Sequence, residues 1–394
     1  MAAIDSPRTS TAGTSGIYIS YPFCEQKRSY CHFSSGVFPR HWERDYLDAL
    51  IAEIDAAQYP APPDTLYLGG GTPSRMEIPE LARLLNRLPV SRWREATIEA
   101  SPGTITGPKA QGWARLGITR VSLGVQSFVP AEAAAAGRKH TPAQVAGEVA
   151  LLREAGIADI SIDLLAGLAY QSEASWRESL DWIERIGPGH VSIYMLEVDD
   201  ESRLGREIRG NGTRYGASEV PSDDEIASFY ALATRRLEAQ SLRRYEISNF
   251  ARPGRESLHN LKYWNMAPYL GFGADAHSFN GTHRWGNVAM PEQYIARWRS
   301  GQDPRRSVER IDERCRLEDR FLTGLRQTAG LLVTPDDLVC YQKSIEAMQR
   351  KGWIELHDGD TLRLTAEGVL FSNEVFQQFL LDPVSAGQGR RETA

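Results

Sequence analysis

The chain has 394 residues, 41% of them hydrophobic and 24% charged, the balance of a globular protein that can bury a core, which excludes a disordered chain. Its 45 Lys and Arg against 51 Asp and Glu leave a net charge of -6, without the basic footprint of a nucleic-acid binder. Four cysteines are too few for a secreted disulfide scaffold, and no run approaches the ~18 uncharged apolar residues of a membrane helix, so a cytoplasmic location is expected.

Residues 1–15 read as a polar, disordered lead-in. Six runs rich in β-branched and aromatic residues follow, alternating with helical patterns: GIYISYPF from Gly16, TLYLGG from Thr65, ATIEAS from Ala96, RVSLGVQS from Arg120, ISIDLLAG from Ile160 and HVSIYMLEV from His190. This alternation predicts an α/β fold of βα units around a parallel sheet. Open doubly wound and barrel forms both satisfy the pattern, and in either one the chemistry belongs at the C-terminal strand ends. Among the helices, Ile226, Phe229, Tyr230, Ala233 and Leu237 share one face behind a Ser222/Glu225 capping box. Another runs from Thr141, with Val145, Val149, Leu152 and Ala155 apolar, and stops at Gly156.

Beyond Arg243 a strand-like RRYEISNFA leads into an irregular, Gly- and aromatic-rich stretch over 252–287, and loops of that length are more often functional than filler. From about Ser307 the pattern turns helical, and WIELHDGDTLRLT then reads as a hairpin turning at Asp358-Gly359-Asp360. Together these predict a small winged-helix-like α+β module.

Several residues carry chemistry. Cys24 and Cys31 lie in the first βα loop; thiolates hold iron-sulfur clusters and soft metals, although the pair alone reads as two free loop thiols. The turn GGGTPS, Gly69 to Ser74, allows close backbone approach to a ligand, and it lacks the Gly-Lys-Ser/Thr of a phosphate loop. Glu99, Gln126, Arg138 and Asp163 fall at successive strand ends. Singly each is an ordinary strand-end polar group, whereas four in register point to a pocket. His259 opens HNLKYW; an imidazole is a common axial ligand of heme iron and aromatics can cover a porphyrin face, while the bland reading is a structural histidine in an aromatic corner. His277 reads as structural or pocket-lining.

With those residues in view, YISYPFCEQKRSYCHF resembles the opening of the radical S-adenosylmethionine proteins related to the anaerobic coproporphyrinogen oxidase HemN and the heme chaperone HemW, and the resemblance runs from about residue 16 to 382. It implies a partial (βα)6 barrel over 16–302 with an extension carrying HNLKYW, a C-terminal domain over 303–382, and a tail over 383–394. It also implies S-adenosylmethionine contacts from Tyr18, Tyr30, Gly70, Gly71, Thr72, Glu99, Gln126, Arg138 and Asp163, and a four-iron four-sulfur cluster on Cys24 and Cys31. The family's middle cluster cysteine is replaced by Arg28, and a guanidinium has donors but no lone pair to offer iron, so the loop holds two thiolates where the family has three. A second departure is Ala169-Tyr170, where the family has Pro-Gly.

H-N-x-x-Y-W is the chaperone's heme motif, which implies heme at His259. Phe33, where the oxidase has a further cysteine, and the short arm before the first strand both favour the chaperone. The implied function is a heme chaperone that hands heme to apo-hemoproteins of the respiratory chain, with no catalytic residue assigned. The alternative is an enzyme, a radical S-adenosylmethionine oxidoreductase acting on a porphyrinogen. A redox dithiol is disfavoured, because Cys24 and Cys31 lack C-x-x-C spacing. The resemblance leaves room for a homodimer and for peripheral contact with a membrane.

Overall fold

The computed structural model describes residues 13–25, 35–198 and 202–380. Arg28, Tyr30, Cys31, Phe33 and the tail 383–394 lie outside the described residues.

Six strands, β1 (Ser15–Tyr21), β2 (Pro63–Gly70), β3 (Glu95–Ala100), β4 (Arg120–Gln126), β5 (Asp159–Ala166) and β6 (His190–Met195), lie side by side in chain order, each parallel to the next. Their sequences alternate with a period of two, which sends successive side chains to opposite faces. One set, including Ile17, Ile19, Leu66, Leu68, Ile98, Val121, Leu123, Ile160, Ile162, Val191 and Ile193, is buried and apolar. The other set, including Thr65, Thr97, Ser122, Ser161 and Ser192, is buried and polar, and its members reach one another across the strands. The crossovers include helices His41–Ala56, Pro142–Glu154 and Glu173–Ile186. Thr141 caps Pro142–Glu154, and the Ser222/Glu225 pair forms a reciprocal capping box on the later helix Asp223–Ala239, as the spacing predicts. β1 opens at Ser15, one residue earlier than expected, because the Ser15 amide donates to the Pro62 carbonyl at 3.0 Å and extends the pairing with β2.

The region after Arg243 departs from its sequence reading. RRYEISNFA is two short strands, β7 (Arg243–Arg244) and β8 (Asn249–Ala251), with β8 antiparallel to β6. The stretch 252–287 is ordered as helix Leu258–Trp264 and strands β9 (Tyr269–Phe272), β10 (His277–Phe279) and β11 (His283–Asn287). β9 runs parallel to β1, so the sheet grows on the far side of the first strand, in the order β11-β10-β9-β1. Three-to-five-residue strands broken by glycine carry too little periodicity to be seen in sequence. Ser307, the expected helical onset, lies instead in an exposed edge strand, β12 (Arg305–Arg310), and the helix begins only at Glu313.

The chain divides into two compact units. The first holds residues 1–244, 248–263 and 267–309; the second holds 245–247, 264–266 and 310–394. In the second, β13 (Leu331–Leu332), β14 (Ile354–His357) and β15 (Thr361–Leu364) form an antiparallel sheet beside several short helices. Asp358 and Gly359 both take positive φ in the hairpin turn. The core of this unit centres on Phe321, Tyr341 and Phe379, whose rings lie 4.4–5.1 Å apart.

Candidate functional site

At the C-terminal ends of the parallel strands the chain brings together most of the described polar residues singled out in sequence. The end of β2 is pressed against the end of β1. The Gly71 amide donates to the Tyr21 carbonyl at 2.8 Å, and the Thr72 amide to that of Phe23 at 3.1 Å. A Cβ on Gly71 would lie 2.8 Å from those backbone atoms, a distance that side chains do not occupy, so glycine is required here. Gly69, which opens the same turn but was not among the implied cofactor contacts, faces the other way: a Cβ there would lie 3.1 Å from both Glu99 Oε1 and the Tyr18 ring. It is the glycine that leaves space on the polar side.

Glu99 accepts a hydrogen bond from the Tyr67 hydroxyl at 3.0 Å. Arg138 is not at a strand end as expected but follows helix Pro130–Ala135, from which it donates to the Ser101 hydroxyl at 2.7 Å, with its guanidinium over Gly124 beside the Gln126 amide. Gln126 sits at φ 73 in an irregularity of β4, a left-handed conformation rare outside glycine and common at functional sites. Asp163 is cradled by hydroxyls, with Ser122 donating at 3.1 Å and Ser161 at 3.3 Å. Burial raises its carboxyl above the ordinary range against those bonds. A carboxylate, an amide and a guanidinium around glycine-lined backbone suit an amino-acid head group and ribose hydroxyls. These residues fit S-adenosylmethionine.

Cys24 lies at the base of the first loop, where its amide donates to the Gly36 carbonyl at 2.8 Å and the Gly36 amide to that of Pro22 at 3.0 Å. The loop carrying Arg28 and Cys31 is thus closed at its base. Among the described residues no group of three His, Cys, Asp or Glu side chains is placed to hold a metal ion. The donor set of the loop, two thiols and a guanidinium, does not fit a cluster held by three thiolates.

His259 sits at the opposite, N-terminal ends of the strands. Helix Leu258–Trp264 is anchored there by Glu95, which accepts from the Ser257 hydroxyl at 3.2 Å and from the amides of Leu258 and His259 at 2.8 and 3.0 Å. Lys262, almost wholly buried, pairs with Asp64 at 2.7 Å. Both ring nitrogens of His259 are engaged: Nδ1 lies 3.0 Å from Thr65 Oγ1, and Nε2 lies 2.8 Å from the Tyr263 hydroxyl. Burial, reinforced by Lys262, holds the imidazole neutral with a pKa of about 3. Trp264 belongs to the second unit, where Arg326 lies 4.5 Å above its ring. His277, on β10, is half-buried beside Arg306.

Comparison with known proteins gives the family and the fold. The family model described as the radical SAM superfamily matches residues 18–183. The HemN coproporphyrinogen III oxidase structure from Escherichia coli superposes with a TM-score of 0.80 over 93% of this chain and 90% of that one, at 19% identity. The fold is thus a partial barrel of the radical S-adenosylmethionine type followed by a small C-terminal antiparallel-sheet domain. The heme chaperone HemW of Bacillus subtilis is 31% identical over 92% of this chain and 98% of its own length. That of Mycobacterium tuberculosis is 33% identical over 93% and 94%. The chain belongs to the HemW family.

Tyr67, which sequence reading passed over, completes the picture, and Tyr263, already carried in the HNLKYW motif, partners His259 Nε2. Tyr67 shares the polar face of β2 with Thr65 and Gly69, a period-two signal hidden inside an apolar-looking strand.

Proposed function

We propose that the chain carries heme as cargo, binding it through His259 and passing it to apo-hemoproteins of the respiratory chain, with S-adenosylmethionine held at the C-terminal strand ends. The reading rests on one observation, full-length likeness to proteins named heme chaperones in a chain that retains H-N-L-K-Y-W. Glu99 and Gln126 would take hydroxyl and amino groups of the cofactor, Arg138 its carboxylate, and the backbone of Gly70 to Thr72 its head group. Tyr18, Tyr30 and Asp163 complete this set. S-adenosylmethionine supplies a sulfonium and an adenosyl group there. Cys24 and Cys31 offer two thiolates, so a cluster in this loop would be weakly held and the reading includes no radical step.

A neutral imidazole keeps a lone pair for iron at ordinary pH. Ligation then requires the His259 ring to give up its bond to Tyr263 or to Thr65. No described helix is long and apolar enough to cross a membrane, so delivery to membrane-bound recipients would be by peripheral contact.

The test is transfer. Protein loaded with heme is mixed with the heme-free form of a respiratory-chain cytochrome, and the heme absorbance is followed. Passage of heme to the acceptor is expected. Heme that is never bound, together with 5′-deoxyadenosine formed after iron-sulfide reconstitution and reduction, would put the oxidoreductase reading first. Arg28→Cys should raise stable iron to about four per chain, the count of a cubane-type cluster.

A further inference from the structure

The two ends of the barrel are joined by one side chain. The Tyr67 ring stacks with both Tyr18, at 6.1 Å and 21°, and His259, at 5.4 Å and 29°. Its hydroxyl donates to Glu99, the carboxylate read above as a cofactor contact. His259 in turn meets Tyr263 edge-on at 5.1 Å, and Tyr263 meets Tyr269 of β9 at 4.6 Å. The packing leaves little slack. A Cβ on Gly16 would lie 3.1 Å from the His259 ring, and one on Gly69 would lie 3.0 Å from the Tyr67 ring. The imidazole, packed against both Gly16 and the Tyr67 ring, therefore has little room to turn out of its two bonds unless Tyr67 moves, and Tyr67 is tied at its hydroxyl to Glu99.

We propose that Tyr67 is a positioning residue that couples the two sites: a ligand that takes hold of Glu99 releases the Tyr67 hydroxyl, and the relaxed ring lets His259 leave Thr65 and Tyr263 to reach heme iron. The proposal rests on the reading of Glu99 and His259 given above and adds the link between them. The two-state element is the His259 ring, closed when both nitrogens are bonded within the chain and open when one is free. S-adenosylmethionine biases it by competing for Glu99. Because coupling is reciprocal, heme held at His259 raises affinity for S-adenosylmethionine by the same factor.

The experiment measures backbone hydrogen exchange in a peptide spanning Leu258–Trp264, with and without saturating S-adenosylmethionine, in the full chain and in Tyr67→Phe. The cofactor's own binding is measured in parallel by equilibrium dialysis. Phenylalanine keeps the stack and removes only the tie to Glu99, so the variant should fold and should still bind the cofactor. In the parent, the cofactor should speed exchange in this helix by about fivefold or more, the lower end of ordinary allosteric coupling. In Tyr67→Phe, exchange should already be fast and should not respond. A merely structural tyrosine would shift both states equally and leave the response intact. Cofactor binding with unchanged or slowed exchange in the parent, or an undiminished response in Tyr67→Phe, overturns the coupling. Absence of saturable binding to the parent overturns instead the cofactor reading, and the coupling falls with it.

Discussion

Gly71 and His259 show how single residues set the limits of this site. Gly71→Ala would drive a methyl group into the carbonyls of Tyr21 and Phe23, 2.8 Å away, and overpacking of this kind costs about 1–3 kcal/mol. Urea unfolding should show that loss, and affinity for S-adenosylmethionine should fall with it because the turn is pushed off β1. His259 makes stability depend on pH. Its folded pKa of about 3 lies below the ordinary value of 6.5. The unfolded chain therefore takes up a proton that the folded chain refuses as pH falls below 6.5. Its contribution is full above 6.5 and is lost progressively down to about 3. His140, at about 4, and His190, well below its ordinary value, act in the same direction. Glu53 acts oppositely: burial raises it from 4.5 to about 7, so its contribution is full below 4.5 and fades as pH rises toward 7. A comparison of parent with His259→Gln cancels the shared groups. The melting temperature should fall less steeply in the variant between pH 6.5 and 4, and equal slopes would contradict a buried neutral imidazole.

At the scale of the element, helix Leu258–Trp264 is short, and isolated helices of such length do not persist in water. It holds its place through Glu95, which receives two backbone amides and the Ser257 hydroxyl. Glu95→Ala leaves those donors buried without their acceptor, and each such loss costs about 1–3 kcal/mol. Thermal unfolding should show a drop of at least that size, and heme affinity should fall although Glu95 touches no ligand. The helix itself was hard to see in sequence, because seven residues carry less than two full periods of an apolar stripe and Lys262 is buried within it. The six parallel strands were legible because each alternates an apolar outer set with a small or polar inner one. Tyr67 escaped notice for the same reason: between Leu66 and Leu68 it looks like one more apolar residue, and only the strand's period turns it toward Glu99.

Across the whole molecule, the sequence marked most of the described residues at the C-terminal strand ends and also marked His259, but not that the latter lies at the other end of the strands. Contacts such as Glu95 with the amide of His259, 164 positions apart, leave no local trace in a single sequence. Nor does the split of RRYEISNFA, whose middle residues belong to the second unit, where the Thr328 amide donates to Tyr245. The molecule thus presents a cluster of polar side chains at one end of the strands, a closed histidine at the other, and stacked aromatic rings that link them. The measurement that tests this account most directly is an equilibrium heme titration of the parent and of His259→Ala, followed by absorbance, with circular dichroism confirming that both are folded. The account predicts saturable binding by the parent and, in the variant, an affinity lower by about tenfold or more, the factor that ~1.4 kcal/mol of lost interaction produces. Equal affinity in the two proteins would contradict it and would place the heme elsewhere on the chain.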